Sequence, residues 1–246
     1  MIGRNILKLA RIAKSNTITE KILRKFLLSR FATNNLSPNL LVVLRDVLAG
    51  TERKMDEKIL LHRFWKQDSP VLNKAENYIH QSQRSEFLYS FLPGLEHSSP
   101  IIELGCNVGR NLNYLFTKGF TNLSGVEINE HAVELMEKTY PELYRQVTIY
   151  NDTIEETIKK IPEKSFEMVF TMAVLEHIHP NSEFIFNEMI RISKRYIITI
   201  EDEIHDTHRH KARNYKEIFE NLGAKEIKSS NQFPKDKAIV ARLFMA

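Results

Sequence analysis

The chain has 246 residues, 42% hydrophobic and 27% charged, the mix of a soluble globular protein of one domain plus an extension. Its single cysteine excludes an intramolecular disulfide and a cysteine-rich zinc site, and no apolar run reaches the roughly 18 residues of a membrane-spanning helix. The net charge is +4, yet residues 1–35 carry eight basic side chains against one acid, Glu20, so the rest sums to 4 − 7 = −3. A slightly acidic body speaks against a domain built for polyanions, and no nucleic-acid partner is expected.

Residues 1–35 place Arg4, Lys8 and Arg11 at helical spacing, with Ile2, Ile6, Leu9 and Ala13 on another face. That pattern fits a helix on anionic lipid, an organelle-import segment, or a helix docked on the same protein. The expected location is cytoplasmic, with peripheral membrane contact and import both left open. Residues 36–98 read as a helical extension or lid. Ser37-Pro38 starts a helix that Gly50 would stop. Further helices are expected over 51–65 and over 73–92, the latter closed by Pro93-Gly94.

After Pro100 short apolar runs alternate with amphipathic stretches. Strands are expected at 101–104, 123–126, 147–150, 168–172 and 196–200, with helices at 110–118, 130–139, 153–160 and 182–193 between them. Such alternation predicts an α/β fold, doubly wound, with a mostly parallel sheet, over residues 99–246. A helix at 214–221 is followed by two strand-like runs joined only by residues 231–236. No helix fits in that connection, so the last two strands are expected as an antiparallel pair at the sheet edge.

The first strand–helix junction reads Ile101-Ile102-Glu103-Leu104-Gly105-Cys106-Asn107-Val108-Gly109-Arg110. Glycine is scarce here, 8 in 246, so two of them four apart need a reason. Gly105 permits a sharp turn off the strand, Gly109 a close approach of helix and ligand, and Asn107 tolerates positive φ. In such sheets ligands bind beyond the carboxyl ends of the strands. Glu103 would face that crevice. Close to a pyrophosphate its charge costs about 1 to 4 kcal/mol at 4 Å, whereas beside an ammonium group it is attractive. Glu127, 22 residues after Gly105, falls where ribose hydroxyls are gripped. Asp152 could accept from an exocyclic amine, or simply cap the next helix. An amino acid joined to an adenosine satisfies all three acids.

Glu-Leu-Gly-Cys-Asn-Val-Gly at 103–109 resembles the first motif of class I S-adenosylmethionine-dependent methyltransferases, with Asn107 where the middle glycine is usual. Val126-Glu127 resembles that family's ribose-binding acid, Asn151-Asp152 its adenine-side acid, and residues 166–178 its fourth strand and following loop. The resemblance covers about residues 85–246. It implies a Rossmann-like domain that binds S-adenosyl-L-methionine through Glu103, Gly105, Asn107, Gly109, Glu127, Ile128, Asp152 and Met172. Arg84 is a further candidate, for the cofactor carboxylate. His177, after the fourth strand, could take a proton from an acceptor hydroxyl or fix its loop by hydrogen bonds. Trp65 and Tyr78 could cover the pocket or merely pack helices. His205, His208 and His210, with Glu201, Asp202 and Glu203, tempt a metal assignment, but their spacing matches no known set, and an acceptor-facing loop is the preferred reading.

The implied activity is methyl transfer to a small-molecule acceptor, O-linked if His177 is a base, and membrane-associated if residues 1–35 lie on lipid. Three other readings stay open. A nucleic-acid or protein methyltransferase is one, although 171–174 lacks the Asn/Asp-Pro-Pro-aromatic motif of base-amine enzymes. A non-catalytic cofactor binder is the second. A nicotinamide-dependent oxidoreductase is the third, opposed by Glu103 and the missing glycine. Oligomeric state is not legible.

Overall fold

The computed structural model describes residues 57–66, 74–207, 209–234 and 236–246. The expected features of residues 1–56, including the basic segment 1–35, therefore lie outside the described residues, as does His208. The chain divides into two compact units, one of residues 1–60 and 69–73, the other of 61–68 and 74–246. Of the first, only residues 57–60 are described, as the opening of helix α1 (Glu57–Lys66). The second unit holds all the other described residues. Among the described residues no helix is long and apolar enough to cross a membrane.

A seven-stranded sheet organises the second unit, with strand order β3-β2-β1-β4-β5-β7-β6. The strands are β1 (Ile101–Leu104), β2 (Leu123–Val126), β3 (Thr148–Tyr150), β4 (Phe166–Met172), β5 (Ser193–Asp202), β6 (Lys225–Ser230) and β7 (Ile239–Met245). The first five pair in parallel, and β7 runs antiparallel to both β5 and β6. This is the expected doubly wound sheet with its antiparallel edge pair. Successive side chains leave a strand on opposite faces, and the core divides accordingly. Ile101, Met168, Phe170, Ile198 and Ile200 join one apolar cluster, while Ile102, Leu104, Val169 and Ile197 join the other. Burial on both faces is why these strands read as unbroken apolar runs.

The helices are α2 (Ser82–Phe91), α3 (Arg110–Thr117), α4 (Glu130–Thr139), α5 (Pro141–Tyr144), α6 (Ile154–Lys160), α7 (Phe184–Ile192) and α8 (Tyr215–Asn221). Side-chain oxygens cap three of them: Asn129 for α4, Thr153 for α6 and Asn214 for α8, each satisfying an otherwise unpaired amide of the first turn. The single helix expected over 73–92 is instead a 3-10 turn, Ala75–Tyr78, followed by α2. Tertiary donors meet the chain at the break: the Tyr78 carbonyl accepts from Arg110 at 3.3 Å and that of Ile79 from the Tyr140 hydroxyl at 3.5 Å.

Gly125 sits inside β2, where a Cβ would meet Cys106 Sγ at 2.6 Å. The bond geometry of a packed interior leaves no room for it. Gly125→Ala should cost about 1–3 kcal/mol through overpacking. Urea unfolding followed by circular dichroism measures it, and an unchanged midpoint would contradict the packing described.

Candidate functional site

Three loops meet at the carboxyl ends of the central strands: 105–109 after β1, 127–129 after β2 and 173–179 after β4. The first has three residues at positive φ, namely Gly105 (76°), Asn107 (49°) and Gly109 (71°). A Cβ at Gly105 would meet Val174 at 2.6 Å, and one at Gly109 would meet Met136 at 2.7 Å. Both glycines are therefore required twice, by backbone conformation and by lack of space. Asn107 secures its own left-handed turn by accepting the Val108 N–H on Oδ1 at 2.8 Å.

Glu127 ties two of the loops together. Its Oε2 accepts from the Asn107 N–H and its Oε1 from the Asn129 N–H, both at 2.8 Å. Ile128 lies between, partly exposed. Glu103 faces the same turn from β1. Its carboxylate is buried, accepts from Asn111 Nδ2 at 2.7 Å, and leaves Oε2 with no partner. Burial pushes its pKa up to about 8, against the pull of Asn111 and the nearby Arg110 charge, and Glu127 raises it further. A buried carboxyl with one orphaned oxygen lacks a cationic partner.

Arg110 opens α3 with a largely buried guanidinium that bonds Ser85, Asn111 and the Tyr78 carbonyl and lies 3.4 Å from Met172 Sδ. Arg84, on α2, stacks on the Phe233 ring at 5.2 Å, and its charge acts on Arg110, Tyr78 and Glu176. Met172, buried at the end of β4, touches both Arg110 and Asn111. The structure thus brings together Glu103, Gly105, Asn107, Gly109, Glu127 and Met172, while the Arg84 guanidinium lies against Phe233. Asp152 stands apart, exposed, accepting from the Thr153 N–H at 2.7 Å and pairing with Lys160 at 3.5 Å. It lines a groove of about 370 Å³ with Tyr150, Asn151 and Thr157. Asn151 joins it to the site, donating to the Glu127 carbonyl at 2.8 Å.

Sequence reasoning missed Asn111 and Arg110. The signal was present: Asn111 shares a face with Leu115, and both are buried. A polar side chain on an apolar helix face needs a buried partner, which is Glu103.

The loop after β4 is clamped from three directions. Glu201 of β5 accepts from the N–H of Val174 at 2.8 Å and of Glu176 at 3.3 Å. Arg213 donates to the carbonyls of Leu175 and Ile178, and the Lys211 N–H reaches the Glu176 carbonyl at 2.8 Å. The His177 ring lies 4.4 Å from Trp65 and 4.6 Å from His210, centroid to centroid. Its Nδ1 is 3.0 Å from the Arg209 carbonyl, and burial brings its pKa down to about 3. A ring this hard to protonate is a weak proton acceptor. Trp65 is seated by α1, whose His62 bonds Glu155 at 2.8 Å. Of the histidines considered for a metal, His205 pairs with Asp202 at 2.6 Å, and Glu203 pairs with Arg242. Among the described residues of that set, His210 is the one that approaches His177.

Residues 102–196 match the family model of a methyltransferase domain. No curated protein sequence matches the chain. Solved structures resemble it in fold. An S-adenosylmethionine-dependent methyltransferase from Mesorhizobium loti is 11% identical, with a TM-score of 0.57 over 68% of this chain and 100% of its own. Magnesium protoporphyrin IX methyltransferase from Synechocystis PCC 6803, solved with bound SAM, is 13% identical, with a TM-score of 0.57 over 78% of this chain and 97% of its own. Phosphoethanolamine N-methyltransferase 1 from Haemonchus contortus, in complex with phosphoethanolamine and S-adenosylhomocysteine, is 16% identical, with a TM-score of 0.61 over 79% of this chain and 50% of its own.

Glu103 titrates higher in the fold than in the unfolded chain, so the stability it contributes is present at low pH and is lost as pH rises toward about 8. The wild-type melting temperature should fall between pH 6 and 8.5 more steeply than that of Glu103→Gln, as read by scanning calorimetry. Parallel curves would remove Glu103 as a buried titrating acid.

Proposed function

The chain carries a class I S-adenosylmethionine-dependent methyltransferase domain, and we propose that it moves a methyl group from that cofactor to a small-molecule acceptor. The carrying observation is the pair of carboxylates, Glu103 and Glu127, on either side of a turn that has no room for side chains at Gly105 or Gly109. The orphaned Glu103 oxygen suits the ammonium of an amino-acid moiety, and Arg84 suits its carboxylate. Glu127 stands at the end of β2, where ribose hydroxyls are held in sheets of this kind, and a carboxylate is the acceptor they need. Asp152, with Oδ1 on the Thr153 N–H and Oδ2 3.5 Å from Lys160, would have to share an oxygen to take the adenine amine. A pyrophosphate would be repelled by the Glu127 charge and offers no cation to the buried Glu103, which weighs against the nicotinamide reading.

When bound, S-adenosylmethionine supplies an electrophilic methyl on a sulfonium, with a neutral thioether as leaving group. The protein's part is alignment and exclusion of water. Met172 and the Gly105–Gly109 turn shape the floor of the crevice. Trp65, held against His177, covers the acceptor side, and its buried indole N–H has no partner, a donor left for a polar acceptor. An oxygen acceptor would need to lose a proton, and His177 is poorly suited to take it unaided. The acidic charge of residues 36–246 favours a small molecule over a nucleic acid.

S-adenosylhomocysteine should raise the melting temperature while NAD does not. Glu127→Ala, which removes acceptors for ribose hydroxyls, should weaken that ligand roughly tenfold or more. Titration calorimetry checks both, and equal binding of NAD would overturn the cofactor assignment. Transfer of labelled methyl into a metabolite extract separates an enzyme from a non-catalytic binder. Label found only in protein or nucleic acid would overturn the small-molecule reading.

A further inference from the structure

We propose that Glu176, His177 and His210 hold a divalent transition-metal ion beside the methyl-transfer crevice. One ligand atom from each lies within 4.8 Å of the other two. Glu176 Oε1 is 3.4 Å from His177 Nε2 and 3.9 Å from His210 Nε2. Two ligands on a tetrahedral zinc ion stand about 3.4 Å apart, given metal–ligand bonds of roughly 2.0–2.2 Å. The first spacing matches, and a small inward shift of the partly exposed His210 ring supplies the second.

The tautomer of His177 points the same way. A carbonyl only accepts, so Nδ1, 3.0 Å from the Arg209 oxygen, carries the ring proton. Nε2 then presents a lone pair to a carboxylate oxygen. Two acceptors at 3.4 Å call for either a shared proton or a metal cation between them. A histidine whose other nitrogen donates to a backbone carbonyl is the usual arrangement of a metal ligand. The loop is also fixed on both sides of the pair, by Arg213 at Leu175 and Ile178 and by Glu201 at Glu176, so ligand geometry is set in advance.

Charges of both signs face the site, with Arg84 acting on Glu176 and Arg209 on His177. Asp202 and Asp236 act on Glu176. Glu201 is fully buried, and neither its Oε1 nor the Thr171 hydroxyl beside it makes a hydrogen bond of ordinary geometry. Two imidazoles and one carboxylate select zinc or another borderline first-row ion over magnesium or calcium. Three protein ligands leave a coordination position open, as in catalytic rather than structural sites. If the methyltransferase reading holds, that position would take an acceptor oxygen and lower its pKa, the function His177 performs poorly as a base. The metal site itself does not depend on that reading.

The test uses the full chain, stripped with chelator, with no cofactor or acceptor present. Cobalt(II) alone is titrated and followed by its visible absorption, and zinc by equilibrium dialysis with elemental analysis. One equivalent should bind. His210→Ala should weaken binding roughly tenfold or more, and His210→Cys, which restores a ligand, should recover it. Glu176→Gln should also weaken it, with far-ultraviolet circular dichroism checking that the fold persists. Absence of stoichiometric binding by the wild type, or unchanged binding by His210→Ala, would overturn the site. A proton bridging Glu176 and His177 would then remain as the cation. Either result leaves the S-adenosylhomocysteine titration unaffected, so the two readings stand or fall separately.

Discussion

The Glu127 carboxylate is the constraint on which the crevice depends. Its two oxygens take amides from two different loops, one in the glycine turn and one at the start of α4. The turn it holds passes through three left-handed residues, a conformation that costs conformational entropy at each glycine. Val174 and Met136 press on that turn so closely that side chains are excluded. The hollow thus exists because a charged group at the end of β2 organises backbone donors that would otherwise face solvent.

Glu103 shows the complementary situation. It is buried on the face shared with Ile101, with half of its carboxylate bonded to Asn111 and half unsatisfied. Leaving a polar atom buried and unpaired costs roughly 1–3 kcal/mol. A fold that tolerates this cost and raises the carboxyl to about 8 holds the group ready for a cationic ligand. Perturbed acids of this kind cluster where chemistry is done. Asn111 and Arg110 set the side chain's direction while leaving one oxygen available.

The loop after β4 is rigid for a related reason. Its backbone groups are satisfied by side chains from β5 and from the segment before α8, not by regular secondary structure. Burial of Glu201 and Arg213 is feasible only because each finds several backbone partners. Their cost is offset by the precision with which Glu176 and His177 are held. Trp65, arriving on a helix anchored by the His62–Glu155 bond, closes the same corner from above.

Local pattern alone carried much of this. The apolar runs at 101–104 and 168–172, buried on both faces, could only be central parallel strands. The short link at 231–236 forced the antiparallel edge. Glu103, Gly105, Gly109 and Glu127 announced themselves because scarce glycines and strand-end acids at fixed spacing have few other uses. Contacts between distant segments were another matter. At the break between the turn at 75–78 and α2, Arg110 and Tyr140 reach back to the carbonyls of residues 78 and 79. The meeting of Glu176, His177 and His210 needs the segment after β5 to fold across the end of β4. Periodicity reports which face of an element is apolar. Which polar atoms from far along the chain end up within hydrogen-bonding distance is decided only when the sheet is assembled, because burial forces each to find a partner wherever the packing supplies one.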